Sequence, residues 1–112
     1  MNVEEKVIQL LRTAGYDAYA DAPNPMPDEF VTVERTGGGA ADMVDSATLA
    51  VQCWAKGRKA AADMADGVRG ALYAMQGVGG LGGISVDSLY NWPDPQTRRS
   101  RYQMTVGVTA HM

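Results

Sequence analysis

Apolar residues recur along this chain in two rhythms, one of three and four residues and the other of two. Val3, Val7, Leu10 and Ala14 are spaced 4, 3 and 4 apart, with Leu11 widening the stripe, which predicts an amphipathic helix over Asn2–Thr13. Glu4 and Glu5 in its first turn and Arg12 in its last suit the helix dipole, and Gly15 is a natural stop. Tyr16–Ala20 reads as a short strand at a sheet edge. Phe30–Thr36 alternates as a second strand, with Phe30, Thr32, Glu34 and Thr36 on one face and Val31, Val33 and Arg35 on the other. Ser46–Trp54 is a third, with Ala47, Leu49, Val51 and Cys53 facing one way and Thr48, Ala50, Gln52 and Trp54 the other. It leads through Lys56-Gly57-Arg58-Lys59 into a second helix that reaches Met75. That helix carries the stripe Ala61, Ala65, Val68, Leu72 and Met75.

Two further strands close the chain. Gly83–Trp92 puts Ile84, Val86, Ser88, Tyr90 and Trp92 on one face, and Pro93-Asp94-Pro95 stops it. The last strand is the clearest, with Tyr102, Met104, Val106, Val108 and Ala110 inward. The connectors are equally distinct. Asp21–Glu29 holds Pro23, Pro25 and Pro27 and predicts a stiff extended spacer. Gly37, Gly38 and Gly39 with the residues to Asp45 predict a mobile loop, and Gly77–Gly83 a flexible linker. Gly67 and Gly70 each cost roughly 1 kcal/mol inside a helix, so something packs close to them, by expectation their own sheet.

The order α-β-β-β-α-β-β predicts an α+β fold in one domain, residues 1–112: a mostly antiparallel sheet of four to five strands with both helices over one face. The helix between the third and fourth strands permits a crossover, and the other neighbours can pair as hairpins.

Charge and composition narrow the function. Thirteen acids against ten bases give a formal charge of −3, against the basic excess of a sequence-specific nucleic-acid reader. One cysteine excludes a disulfide framework within the chain. The acidic start, MNVEEKVIQLLRTAG, does not read as a signal peptide, and no apolar run approaches the roughly 20 residues that span a bilayer. The expected place of synthesis is a reducing cytoplasm, with no membrane partner.

Residues that could carry chemistry are few. Gly77-Val78-Gly79-Gly80-Leu81-Gly82 matches a dinucleotide fingerprint, but a helix precedes it and a strand follows, the reverse of what pyrophosphate binding needs. His111 and Cys53 have no partner cluster for zinc, and Cys53 falls on an apolar strand face. The expectation is no enzyme, no cofactor and no metal. Contact residues are easier to find. Lys56, Arg58 and Lys59 crowd a helix start, where the dipole disfavours cations, and an acidic partner surface would explain them. Arg98, Arg99 and Arg101 open the last strand, and Trp54 and Trp92 sit at strand ends as candidate interface anchors.

Several phrases, in order, carry a resemblance. Val31-Thr-Val-Glu-Arg-Thr-Gly-Gly38 is followed by a polar loop, by Leu49-Ala-Val-Gln-Cys-Trp-Ala55, and by a basic turn and an alanine-rich helix. Asn91-Trp-Pro-Asp-Pro95 and Arg101-Tyr102 then open a valine strand. The chain so resembles the tail-terminator (tail-completion) proteins of long-tailed bacteriophages. That resemblance implies a non-enzymatic homo-oligomeric ring, typically a hexamer, in the neck of a phage or prophage virion. Such a ring caps the tail-tube protein, docks to the head connector protein and lets DNA pass through its lumen without reading sequence. The family lends no catalytic residues. The alternatives are another head–tail connector component of similar fold, or a small-molecule-binding α+β domain with a pocket under the second helix. The loop Gly37–Asp45 and the arm Pro23–Pro27 are then the segments able to reach neighbouring subunits.

Overall fold

A computed structural model describes all 112 residues. Helix α1 (Val3–Thr13) is capped by Asn2, whose Oδ1 accepts the Glu5 N–H at 3.0 Å. At its other end Gly15 takes φ +99, the Gly15 N–H reaches the Arg12 carbonyl and the Tyr16 N–H that of Leu11. This pair of bonds is a Schellman ending, and it turns the chain so that Tyr16 lies across the second helix. Strand β1 (Ala18–Tyr19) follows, then β2 (Phe30–Ala41), β3 (Val44–Ala55), α2 (Arg58–Ala74), β4 (Leu81–Asn91) and β5 (Ser100–His111).

The five strands form one sheet in the order β1-β2-β3-β5-β4. The α+β class and the element order are those the sequence predicts. One connection differs: β1 pairs with β2 in parallel, not as a hairpin, because the proline-rich connector carries the chain back to the sheet's starting end. All other pairings are antiparallel, and β5 lies between β3 and β4, splitting the β3–α2–β4 crossover.

Both helices cover one face. Val7 and Leu11 of α1, with Ala65, Val68 and Leu72 of α2, close over Val31, Val33, Leu49, Val51, Cys53, Met104 and Val106 in one core of 21 buried residues. Each fully buried Leu or Val contributes roughly 1.5–3 kcal/mol relative to exposure, so this face accounts for most of the driving force.

Three local features depart from the sequence reading. Gly37–Gly39 are not a mobile loop; they continue β2 as far as Ala41, opposite Val44–Thr48. The chain reverses at Asp42 and Met43, both at positive φ (54 and 65), a two-residue primed turn that suits the twist of the strands. The glycines serve a bulge between Arg35 and Gly37. At Gly38, φ is +109 and any Cβ would strike the Ser46 carbonyl. On β4, strand structure begins at Leu81, inside the predicted linker, and a register shift between Val86 and Ser88 exchanges the faces. Leu89, not Ser88 or Tyr90, therefore joins Ile84 and Val86 against the core. Of the two helical glycines, Gly67 lies against the Tyr16 hydroxyl, not the sheet, and Gly70 has open space.

Helix side chains also reach strand backbone at both flanks of the sheet. On β4, the Ile84 N–H donates to Gln76 Oε1 at 3.0 Å and the Val86 N–H to the Tyr73 hydroxyl at 3.1 Å. On β2, the Arg35 N–H donates to Glu4 Oε2 at 2.8 Å.

Candidate interaction face of the sheet

With both helices on one side, no helix covers the opposite face of the sheet, although Phe30, Thr32 and Trp54 are buried there. Strand alternation puts Phe30, Thr32, Gln52, Trp54, Arg101 and Gln103 there, and register decides which of them meet. Phe30, Trp54 and Arg101 stand opposite one another across β2, β3 and β5; one step along, Thr32, Gln52, Gln103 and Tyr90 do so across β2, β3, β5 and β4.

The first row is aromatic and cationic. Tyr19 meets Phe30 edge to face at 6.3 Å, and Phe30 stacks on Trp54 at 5.1 Å with 15° between the planes. The Arg101 guanidinium lies 4.8 Å from the Trp54 ring centre and 4.4 Å from that of Trp92, and its Nε–H donates to the Trp92 carbonyl at 2.9 Å. Arginine suits this position because its planar, weakly hydrated cation stacks on aromatic faces. Tyr90 tilts against Trp92 at 6.4 Å and closes the row.

The second row is a chain of hydrogen bonds that begins on the first. Trp54 Nε1–H donates to Thr32 Oγ1 at 3.0 Å, and the Thr32 hydroxyl donates to Gln52 Oε1 at 3.1 Å. Gln52 Nε2 donates to Gln103 Oε1 at 2.7 Å, and Gln103 Nε2 to the Tyr90 hydroxyl at 2.6 Å. Four strands are thus tied side chain to side chain, and the two amides have fixed orientations. Trp54 is only 6 % exposed, while Trp92 at 47 % and Tyr90 at 42 % stand open to a partner.

The contact residues expected from sequence fall into four groups. Trp54 and Trp92 come together through Arg101. Arg99 turns inward and donates to the carbonyls of Pro27 at 2.7 Å, Asp28 at 3.1 Å and Met26 at 3.4 Å, which fastens the proline connector to the β4–β5 turn. Arg98, at φ 60, is exposed and has no side-chain partner. The basic turn is less free than its sequence suggests. Lys56 pairs with Asp28 at 3.1 Å and Lys59 with Asp63 at 2.6 Å, which leaves Arg58 as its one unpaired cation. The helix start with Gly57 as an uncapped N-cap still lacks acids in its first turn, but Asp63 one turn on offsets Lys59. Gly37, Gly38 and Gly39 lie far along the β2–β3 hairpin, about 25 Å of strand from Phe30, and do not join this face's aromatic end.

Sequence reasoning missed Thr32, Gln52, Gln103 and Tyr90 as a group. Their shared face was legible for the first three; their mutual register was not. Elsewhere, Cys53 is buried and its thiol is pushed up to about 12 by desolvation, so it stays protonated. No group of three or more His, Cys, Asp or Glu side chains is placed to hold a metal. Comparison with protein-family models and with curated proteins finds no match to this chain.

Proposed function

We propose that this chain is a structural protein of phage or prophage tail assembly, a homo-oligomeric ring of six subunits that caps the tail tube and docks to the head connector. The observation that carries the reading is the exposed aromatic edge of the helix-free sheet face. It presents Trp92, Tyr90 and Arg101 on a backing tied together across four strands. Aromatic residues and arginine are the side chains most enriched where protein surfaces bind, and a rigid backing lowers the entropy lost on association. The element order and the phrases around Val31, Leu49, Asn91 and Arg101 support the phage assignment. A formal charge of −3 suits a lumen through which DNA slides without being held by its phosphates. On this reading the protein is made in the bacterial host cytoplasm, ends in the neck of the virion and performs no catalysis.

A different class of function is favoured by one observation, an open groove of about 590 Å³ beneath the start of α2. A groove of that size can take a small ligand, and a neck component other than the terminator would share the exposed face.

Light scattering after size exclusion, followed by negative-stain imaging with and without tail tubes, tests the proposal. Closed rings, alone or on tube ends, are expected. A strict monomer at every concentration that also ignores tail tubes overturns it.

A further inference from the structure

Of the large apolar side chains left exposed, all but Tyr73 lie at two opposite ends of the strands, and the Tyr73 hydroxyl is engaged by the Val86 N–H. Trp92 and Tyr90 stand at the end where Phe30, Trp54 and Arg101 pair across β2, β3 and β5. Met43, Met112, Val78 and Met1 stand at the other, where Ala41, Val44 and His111 pair. The 12 residues of β2 separate the two ends by about 36 Å of strand. Backbone bonds gather the methionine end: the Met112 N–H donates to the Met43 carbonyl at 3.0 Å and the His111 N–H to that of Gly80 at 3.2 Å, and the Met1 methyl lies over Gly80. Met43 is the most exposed of all, at 70 %, and takes φ 65 at the second position of the β2–β3 turn. That position favours glycine, so backbone preference and water both disfavour a methionine there, and contact with another surface accounts for it. Asp42 beside it has no ion-pair partner.

We infer that the β2–β3 turn of one copy seats on the aromatic end of the next, Met43 against Trp92 and Tyr90 and Asp42 toward Arg98; this rests on the ring reading above and names what covers that exposed edge. The two surfaces complement each other in chemistry. A methionine side chain is flexible and polarisable, fits an irregular surface, and its sulfur packs favourably against aromatic rings. Arg98 is exposed, and neither it nor Arg101 has a carboxylate at ion-pair distance, so the aromatic end offers cations to the Asp42 carboxylate. Asp94 in the same turn is engaged by the Thr97 hydroxyl at 2.6 Å. Because the two surfaces lie at opposite ends of one chain, the contact is heterologous, and such contacts close into rings when the rotation allows.

Met43→Gly separates contact from folding, because glycine suits φ 65. It is expected to melt no lower than wild type by circular dichroism, yet to raise the concentration needed for assembly by about ten-fold or more in light scattering and negative stain. Trp92→Ala, with its fold checked in the same way, is expected to weaken assembly to a similar degree. Copies carrying Met43→Cys, mixed with copies carrying Tyr90→Cys and treated with a bismaleimide, are expected to join one of each kind, since Cys53 is buried and does not compete. Cross-links confined to like copies, or rings that Met43→Gly forms as readily as wild type, overturn the contact and leave the ring standing. If Met43→Gly leaves rings intact but abolishes tube capture, the turn belongs to a tube subunit and the inference is again overturned. If wild type stays monomeric with and without tubes, the ring reading fails and takes this contact with it.

Discussion

Arg101 lies over the Trp92 ring at 4.4 Å, and the same guanidinium lies 4.8 Å from Trp54. One cation thus bridges an exposed indole and a buried one. Arg101→Lys keeps the charge but loses the planar group and the bond to the Trp92 carbonyl. The expected loss of stability is about 1–2 kcal/mol, measured by urea unfolding, with a red shift in tryptophan emission as Trp92 is released.

The Tyr16 hydroxyl occupies the space that a Cβ on Gly67 would need, while Gly70 has nothing within 4 Å. Gly70→Ala is therefore expected to stabilise the protein by up to about 1 kcal/mol through helix propensity. Gly67→Ala in the wild-type background gains less or loses, because the half-buried tyrosine must move. Combined with Tyr16→Phe, it recovers most of the gain. Thermal melts of these three variants, with Tyr16→Phe alone as the reference for the combination, separate propensity from collision.

Arg35 and Asp45 form a two-pronged pair at 2.7 Å on each prong, across the outer half of the β2–β3 hairpin. The pairing lowers the Asp45 carboxyl and raises the Arg35 guanidinium from their ordinary values. Because the folded carboxyl titrates below the unfolded one, its stabilisation is present above the unfolded value of about 4 and fades as pH falls through the folded one. Wild type is expected to exceed Asp45→Asn in stability at pH 7, with the difference shrinking below about pH 4. Denaturant melts from pH 7 to pH 2.5 measure this.

Cys53, with its thiol held near 12 in a closed core, is expected to resist alkylation at pH 8 in the native protein. It should react at once in denaturant. Mass spectrometry after iodoacetamide treatment reads the difference, and rapid native labelling would contradict the packing described for β3.

How far the sequence revealed this molecule depends on the kind of regularity involved. The stripe on α2 repeats with a fixed period and is buried throughout; that on α1 is buried at Val3, Val7 and Leu11 but leaves Leu10 half-buried and Ala14 exposed, and the inward set on β5 is buried from Met104 to Ala110 with Tyr102 half-buried. Features that break a period were misread. Three successive glycines suggest freedom of the chain, yet they serve a bulge and a close cross-strand approach at Gly38. The shift between Val86 and Ser88 turns the faces of β4 over without any mark in the alternation before it. The interaction face shows the same limit. Trp54 and Trp92 stood out by type, but Gln52 and Gln103 became neighbours only through the pairing of β3 with β5. Arg99 and Lys56 looked like free cations because the carbonyls and carboxylate that engage them are distant in sequence.

The helix side chains that reach the strand backbones set a limit on growth. With Gln76 and Tyr73 holding two amides of β4 and Glu4 holding one of β2, an incoming strand would have to displace protein bonds before making its own. Strand-to-strand addition at Ile84, Val86 and Arg35 is thereby disfavoured, the route by which exposed sheet edges stack.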